Sequence, residues 1–339
     1  VNPAKTALSL IGKPVGAVSH ALNRPSSLGR NRPLYPLNLV DALRGGTLED
    51  AVRDRIVLVT GASSGIGAVT AERIGAAGGE VVLVARGREK LEQTAEAVES
   101  AGGGAHVYPC DLTDLDAIAA MAEQVQSDVG RVDILVNNAG KSIRRSLELS
   151  YDRMHDYQRT MQLNYFAPVR LMLALLPGMR EREFGTIVNV SSIGVLTRVP
   201  RFGAYIASKA ALDILCDAWQ AETHAEDVRF CTVHMSLVRT PMIEATTIYQ
   251  RFPVLTPDDA AGVLCEAIIR RPRRVSPPFG QIAAFADAMS PGIMDRVRNQ
   301  GFQLFEDSAA AKGDKDSTEP VKLSGPARAF AEVTRGVHW

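Results

Sequence analysis

From Arg55 onward the chain alternates two textures: short runs of β-branched and aliphatic residues, and longer stretches in which apolar positions recur every three or four residues. The runs Ile56–Thr60, Val81–Ala85, Ala105–Tyr108, Asp133–Val136, Thr186–Ser191 and Val228–His234 are almost continuously apolar, as in strands covered on both faces. Between them, Arg88–Ala101 sets Leu91, Ala95 and Val98 at i, i+4 and i+7, a stripe that faces a sheet while charged residues face water. Asp114–Asp128 and Tyr151–Met179 read as helices too, the second bent at Pro168. This alternation predicts an α/β fold, a doubly wound parallel sheet in a single domain over residues 55–285. The flanks differ. Residues 1–54, rich in Pro, Gly, Ser and Asn, read as an arm or linker, with no regular structure expected before Leu37–Leu43. Residues 286–339 read as a C-terminal extension, mobile across Ser308–Pro320 and ending in a helix-like piece, Ala327–Thr334.

Composition narrows the class. Across 339 residues, 38 Lys+Arg balance 38 Asp+Glu, so no global field draws nucleic acid and no nucleic-acid partner is expected. Cys110, Cys216, Cys231 and Cys265 form no CxxC pair and have no His at zinc spacing, which predicts reduced core thiols in a cytoplasmic protein without a metal site. The longest strongly apolar piece, Leu171–Leu176, falls far short of the ~18 residues of a membrane span. Val1–Leu10 has no apolar core of the secretory kind. The chain starts without Met, and a longer, multidomain polypeptide is the expectation.

Thr60-Gly61-Ala62-Ser63-Ser64-Gly65-Ile66-Gly67 follows one strand and opens the Ala-rich segment Ala68–Ala77. Three glycines let the chain turn tightly and bring backbone amides to a pyrophosphate at a helix N-terminus, the signature of a Rossmann-type dinucleotide site. Where an NAD-specific site carries an acid at the end of the second strand, this chain has Arg86. A guanidinium there pairs with a 2′-phosphate, with Ser63 and Arg88 adding hydrogen bonds, so NADPH is the expected cofactor.

Tyr205 and Lys209 stand four residues apart on one helix face, and the cation is expected to lower the phenol's pKa and make it a better proton donor near neutrality. Ser192, at a strand end, can hydrogen-bond a reacting carbonyl oxygen. A lone YxxxK is a common accident; joined to the glycine loop it becomes specific.

With Asp111-Leu112, Asn137-Asn138-Ala139-Gly140 and Asn164 added, the sequence from Arg55 to Phe279 resembles the short-chain dehydrogenase/reductase family. The resemblance implies Asp111 and Leu112 beside the adenine, Asn138, Ala139 and Gly140 beside the adenosine ribose, and Lys209 on the nicotinamide ribose. It also implies a water held by Asn164 that relays protons to Lys209, a backbone contact from Val238 and a hydroxyl contact from Thr240 to the cofactor, and a homo-oligomer. Where the family usually carries Pro-Gly after the sixth strand, this chain reads His234-Met235-Ser236-Leu237-Val238-Arg239-Thr240-Pro241-Met242, which leaves the path of that loop open. Together with Lys141–Ser146, Met161–Phe166 and the ending Arg335–Trp339, the loop is similar to that of bacterial fatty acyl-CoA reductases of wax-ester and fatty-alcohol synthesis.

That resemblance implies a long-chain acyl-CoA or another lipid carbonyl substrate beneath a substrate loop, residues 240–256, in which Ile243, Ile248, Tyr249 and Phe252 are apolar. Arg144, Arg145, Arg198, Arg201 and the run Arg270–Arg274 are candidate partners for coenzyme A phosphates or anionic lipid, although the run reads first as a solvated face. A lipophilic product makes peripheral membrane contact an open expectation. The expected reaction is hydride transfer to a thioester with Tyr205 as proton donor; the same residues serve a lipid ketone or aldehyde. A silent NADPH-binding module is the remaining alternative, opposed by the intact Asn164, Ser192, Tyr205 and Lys209 set.

Overall fold

The structure, a computed structural model, describes residues 46–244, 249, 254–313 and 324–333. The elements run in the order α1 (Leu48–Val52), β1 (Ile56–Thr60), α2 (Gly65–Ala76), β2 (Glu80–Ala85), α3 (Arg88–Ser100), β3 (Gly104–Pro109), α4 (Leu115–Val129) and β4 (Ile134–Asn137). The second half continues with α5 (Met154–Met161), α6 (Ala167–Glu181), β5 (Gly185–Ser192), α7 (Ile193–Thr197), α8 (Gly203–Glu222) and β6 (Val228–Met235). It closes with α9 (Pro241–Glu244), α10 (Pro257–Arg270), β7 (Arg274–Val275), α11 (Pro278–Met289), α12 (Pro291–Leu304), α13 (Ala309–Lys312) and α14 (Gly325–Val333).

The strands form one parallel sheet in the order β3-β2-β1-β4-β5-β6-β7. Successive side chains alternate between its faces. On β1, Val57 and Val59 meet Ile74, Leu91, Val98 and Leu264 of α2, α3 and α10, whereas Ile56 and Leu58 meet Ile118, Leu171, Met172 and Leu212 of α4, α6 and α8. The strand order reverses between β1 and β4, and the crevice at their carboxyl ends is where such sheets bind ligands.

Six strands lie where the apolar runs predict them. β3 departs from the expected burial on both faces: it is the sheet edge, with His106 partly exposed beside Glu80. β7 pairs only two residues with β6 and carries no periodic signal. Val52 of α1 is fully buried in the core, so the segment assigned to the arm is packed by that point, while Leu37–Leu43 lies outside the described residues. The expected bend at Pro168 is instead a π-helical turn, Gln162–Phe166, one turn earlier; Pro168 sits in the first turn of α6, where its missing N–H costs nothing. Among the described residues no helix is long and apolar enough to cross a membrane.

Candidate active site

The glycine loop leaves the end of β1 at the reversal point. Gly61 and Gly65 adopt left-handed φ values of 67° and 58°. A Cβ on Gly67 would fall 2.3 Å from the Gly61 carbonyl oxygen, so the turn closes only with hydrogen there. Ser64 precedes α2 without a side-chain cap, leaving the first amides of a twelve-residue helix open to an external acceptor. The side chain of Asn138 braces the loop from below, donating to the carbonyls of Thr60 (3.0 Å) and Gly61 (3.4 Å). Thr60 Oγ1 in turn accepts from the amides of Asn138 and Ala139. A cradle that a Cβ would fill, below an uncapped helix N-terminus, fits the pyrophosphate of a dinucleotide.

Other predicted cofactor residues ring the same crevice. Thr240 Cγ2 lies 3.2 Å from where a Cβ on Gly65 would stand, bringing the loop after β6 onto the glycine loop. Val238 forms a parallel bridge with Leu255, which pins both ends of the 240–256 segment despite the missing Pro-Gly. Arg86 is exposed between β2 and α3, close enough to Asp111 to help hold that carboxyl below its usual range, after the hydrogen bonds from Thr113. Leu112 is buried beside it, and Ser63 and Ile66 are half-exposed on the loop.

The four candidate catalytic residues converge from three elements: β5, the π turn and α8. Ser192 ends β5, its Oγ accepting from the Gly194 amide at 3.1 Å and hydrogen-bonding the Tyr205 hydroxyl. Lys209, one turn beyond Tyr205 on α8, donates to the Val190 carbonyl at 2.7 Å. Asn164 occupies the π turn, fully buried. Its side chain clasps the Lys141 backbone from both sides (Lys141 N to Oδ1 2.8 Å, Nδ2 to Lys141 O 2.9 Å) and donates to Ser208 Oγ. Gly140 separates Asn164 from Lys209: a Cβ there would stand 3.2 Å from Asn164 Oδ1 and 3.4 Å from Lys209 Nζ.

One expectation is reversed. Burial raises the Tyr205 pKa above its ordinary value, opposed by the Ser192 hydrogen bond and reinforced by Asp213. Lys209 spends its hydrogen bond on Val190 rather than on the phenol, and burial lowers the ammonium to about 8.

Beside the hydroxyl pair lies an apolar cluster of Ile193, Val199, Phe202, Tyr205, Leu237, Tyr249, Phe305, Ala327 and Phe330. Phe305, Ala327 and Phe330 come from the C-terminal extension, which periodicity did not place here. Of the predicted loop residues, Tyr249 is buried in the cluster and Ile243 packs against it; Ile248 and Phe252 lie outside the described residues, as does Arg335–Trp339.

The arginines expected to meet coenzyme A or lipid are already engaged. Arg144 donates to the Glu306 carbonyl (2.7 Å), Arg145 to Asp156 (3.0 Å) and the Ala311 carbonyl, Arg198 to Asp287, and Arg201 to the Phe302 carbonyl, with Asp307 3.3 Å from its Nε. In the basic run, Arg270 pairs with Glu266, Arg271 with Asp227, and Arg273 and Arg274 with Asp217. These cations hold elements together. The buried Ser191, Asp213 and His234 group behind Lys209 was also missed; the spacing Tyr205, Lys209, Asp213 signals one helix face, but pairing across two strands has no sequence signature.

The comparisons agree with this geometry. The family model described as short chain dehydrogenase matches residues 55–250. An uncharacterized oxidoreductase of Mycobacterium tuberculosis is 63% identical over 334 residues, 98% of each chain. A fatty acyl-CoA reductase of Acinetobacter baylyi is 47% identical over 288 residues, 85% of this chain and 96% of that one. Among solved structures, a metagenomic short-chain oxidoreductase in complex with NADP superposes with a TM-score of 0.58 at 33% identity, over 67% of this chain and 97% of that one. A seven-stranded parallel sheet, a glycine cradle at its reversal point and a serine–tyrosine hydroxyl pair beside a buried lysine thus accompany similarity along nearly the whole chain, and the protein belongs to the short-chain dehydrogenase/reductase family of oxidoreductases.

Proposed function

We propose that this chain is an NADPH-dependent reductase that converts long-chain fatty acyl-CoA to fatty aldehyde, with residues 55–285 as its reductase domain and the C-terminal extension completing the substrate side. The observation that carries the reading is the position of Tyr205: its hydroxyl bonds Ser192 while its ring is part of the apolar cluster built with Phe305 and Phe330. A carbonyl held there has hydroxyl donors on its oxygen and hydrocarbon alongside. Each buried CH₂ is worth ~0.8 kcal/mol, so an acyl chain gains in this setting what a small polar substrate does not. The 47% identical fatty acyl-CoA reductase supports the same substrate class.

NADPH, when bound, supplies the hydride. Gly61, Ser63, Ser64, Gly65, Ile66, Gly67, Asn138, Ala139, Gly140, Val238 and Thr240 would hold the dinucleotide, with Asp111 and Leu112 on the adenine side and Arg86 as the partner for a 2′-phosphate. Ser192 and Tyr205 donate hydrogen bonds to the thioester oxygen as it gains charge, and Tyr205 passes its proton to it. Lys209 holds the nicotinamide ribose and, through Asn164, connects to the proton supply. The hemithioacetal then breaks its C–S bond, the hydroxyl proton leaves with sulfur, and aldehyde and free thiol depart. An acyl-cysteine is unnecessary, and all four thiols are buried. We place the protein in the cytoplasm, as a homo-oligomer that meets the membrane peripherally.

Purified protein supplied with NADPH and palmitoyl-CoA should consume one NADPH for each thiol and each aldehyde released. Turnover of a β-keto acyl lipid or fatty aldehyde without thiol release from palmitoyl-CoA would replace the substrate assignment. Tyr205→Phe should lower kcat by ~10²-fold or more; retention of most turnover in a folded, NADPH-binding variant overturns the mechanism.

A further inference from the structure

Tyr205, Lys209 and Asp213 fall at i, i+4 and i+8 on α8 and so share one face. The reaction as derived uses the first two and leaves the third without a role. Asp213 is buried at 8% exposure. Its Oδ2 accepts from Ser191 Oγ of β5 at 2.9 Å and lies 3.0 Å from His234 Nε2 of β6, whose Nδ1 is 2.7 Å from Ser276 Oγ. The parallel register sets Ser191 opposite His234, so two adjacent strands present both groups to the same turn of helix. Oδ1 has no hydrogen-bond partner. A buried carboxylate with one bare oxygen is costly unless a nearby cation offsets it.

We propose that Asp213, held in place by Ser191 and His234, is the counter-charge that keeps Lys209 an ammonium and so sets the upper pH limit for proton donation by Tyr205. It is a positioning residue that acts through Lys209, and the inference rests on the roles proposed above for Lys209 and Tyr205.

Burial lowers Lys209 to about 8, and Asp213 is the charge that opposes this. The same carboxylate adds to the upward push on Tyr205. The groups facing the row from other elements are Asn164 in the π turn, the Val190 carbonyl and Ser191 on β5, and His234 on β6 with Ser276 behind it. On α8 itself, burial pushes the Cys216 thiol to about 12, and Asp217 farther along is paired with Arg273 and Arg274. Among the described residues, His234 is the ionisable group that hydrogen-bonds Asp213. Removing the Asp213 charge lowers both Lys209 and Tyr205. Their protonated forms are the donating ones in reduction, so the alkaline limb of kcat/KM moves to lower pH.

The chain has eight lysines, few enough to follow by ¹³Cε NMR in the cofactor-free protein, with the Lys209 signal assigned by its loss in Lys209→Arg. Asp213→Asn should lower the Lys209 midpoint by on the order of one pH unit, and Asp213→Glu should restore it. The shift should persist in a His234→Gln background, which removes the imidazole as a second source of the curve. The alkaline limb of kcat/KM, measured with any carbonyl the wild type reduces, should move the same way. A Lys209 midpoint unmoved in Asp213→Asn, or displaced equally in Asp213→Glu, overturns the proposal; Asp213→Ser is judged by the same criteria should the Asn variant not fold. The NMR readout needs no turnover, so a wild type inactive on palmitoyl-CoA would refute the substrate reading and leave this one standing or falling by itself.

Discussion

Arg86 stands exposed just past β2, and among the described residues no hydrogen bond or ion pair ties its guanidinium down. A cation without such a partner, at the position proposed above to meet the adenosine ribose, is suited to a phosphate, and charge-assisted bonds of this kind are worth ~1.5–3 kcal/mol each. Arg86→Asp should therefore lower the ratio of kcat/KM for NADPH over NADH by roughly two orders of magnitude. Steady-state kinetics with both cofactors measures it, and a variant that still strongly prefers NADPH removes Arg86 from the specificity assignment. At this scale the sequence was informative wherever chemistry depends on residue type at short spacing, as in the glycine loop and the Tyr205 and Lys209 pair. It misjudged the Tyr205 ionisation because desolvation depends on what buries the phenol, and Tyr205 shares its cluster with Ile193 of α7, Phe202 at the start of α8 and, far along the sequence, Phe305 after α12.

The element that most shapes the site is the π turn between α5 and α6. An α-helix running unbroken from Met154 would carry its hydrogen bonds past Asn164; the wider turn bonds the Ala167 amide to the Gln162 carbonyl, and Asn164 reaches across to Lys141. Asn164→Ala would leave the Lys141 amide and carbonyl without these bonds, a loss of ~1–3 kcal/mol in stability. Because Gly140, the neighbour of Lys141 in sequence, borders Lys209, kcat should fall more than KM for the acyl substrate rises. Thermal unfolding together with a kcat and KM comparison tests this, and an unchanged kcat in a destabilised variant would leave Asn164 a purely structural residue. The two helices on either side were legible from their apolar stripes. The turn was not, because a one-residue change in helical pitch barely alters a 3.6-residue pattern, and Pro168 drew attention to the wrong position.

Over the whole molecule, the family core was readable because β1, β2, β4, β5 and β6 are buried on two faces and announce themselves by composition, whereas the C-terminal extension docks through ion pairs and a few aromatics that lack periodicity. Arg144 and Arg201, both well buried, hold Glu306 and Asp307, and the Ser146 amide donates to Asp307 Oδ1 at 3.1 Å. Burial pulls both guanidinium pKa values below their ordinary range, and Asp307 opposes the fall in each. Asp307→Asn removes the charge that compensates two closely placed cations, so stability should drop by ~3 kcal/mol, as when one member of a buried pair is deleted. The anchor lies two residues from Phe305, a member of the cluster that includes Tyr205. Loosening it should raise KM for long-chain acyl-CoA and expose the segment after Leu304 to proteolysis. NADPH affinity should stay near the wild-type value, because the glycine cradle is built from β1, α2 and the loop after β4 and shares no residue with the anchor. Thermal denaturation, limited proteolysis and separate titrations of cofactor and substrate read the three effects. A parallel loss of NADPH binding would mean that the extension supports the whole domain rather than its substrate side.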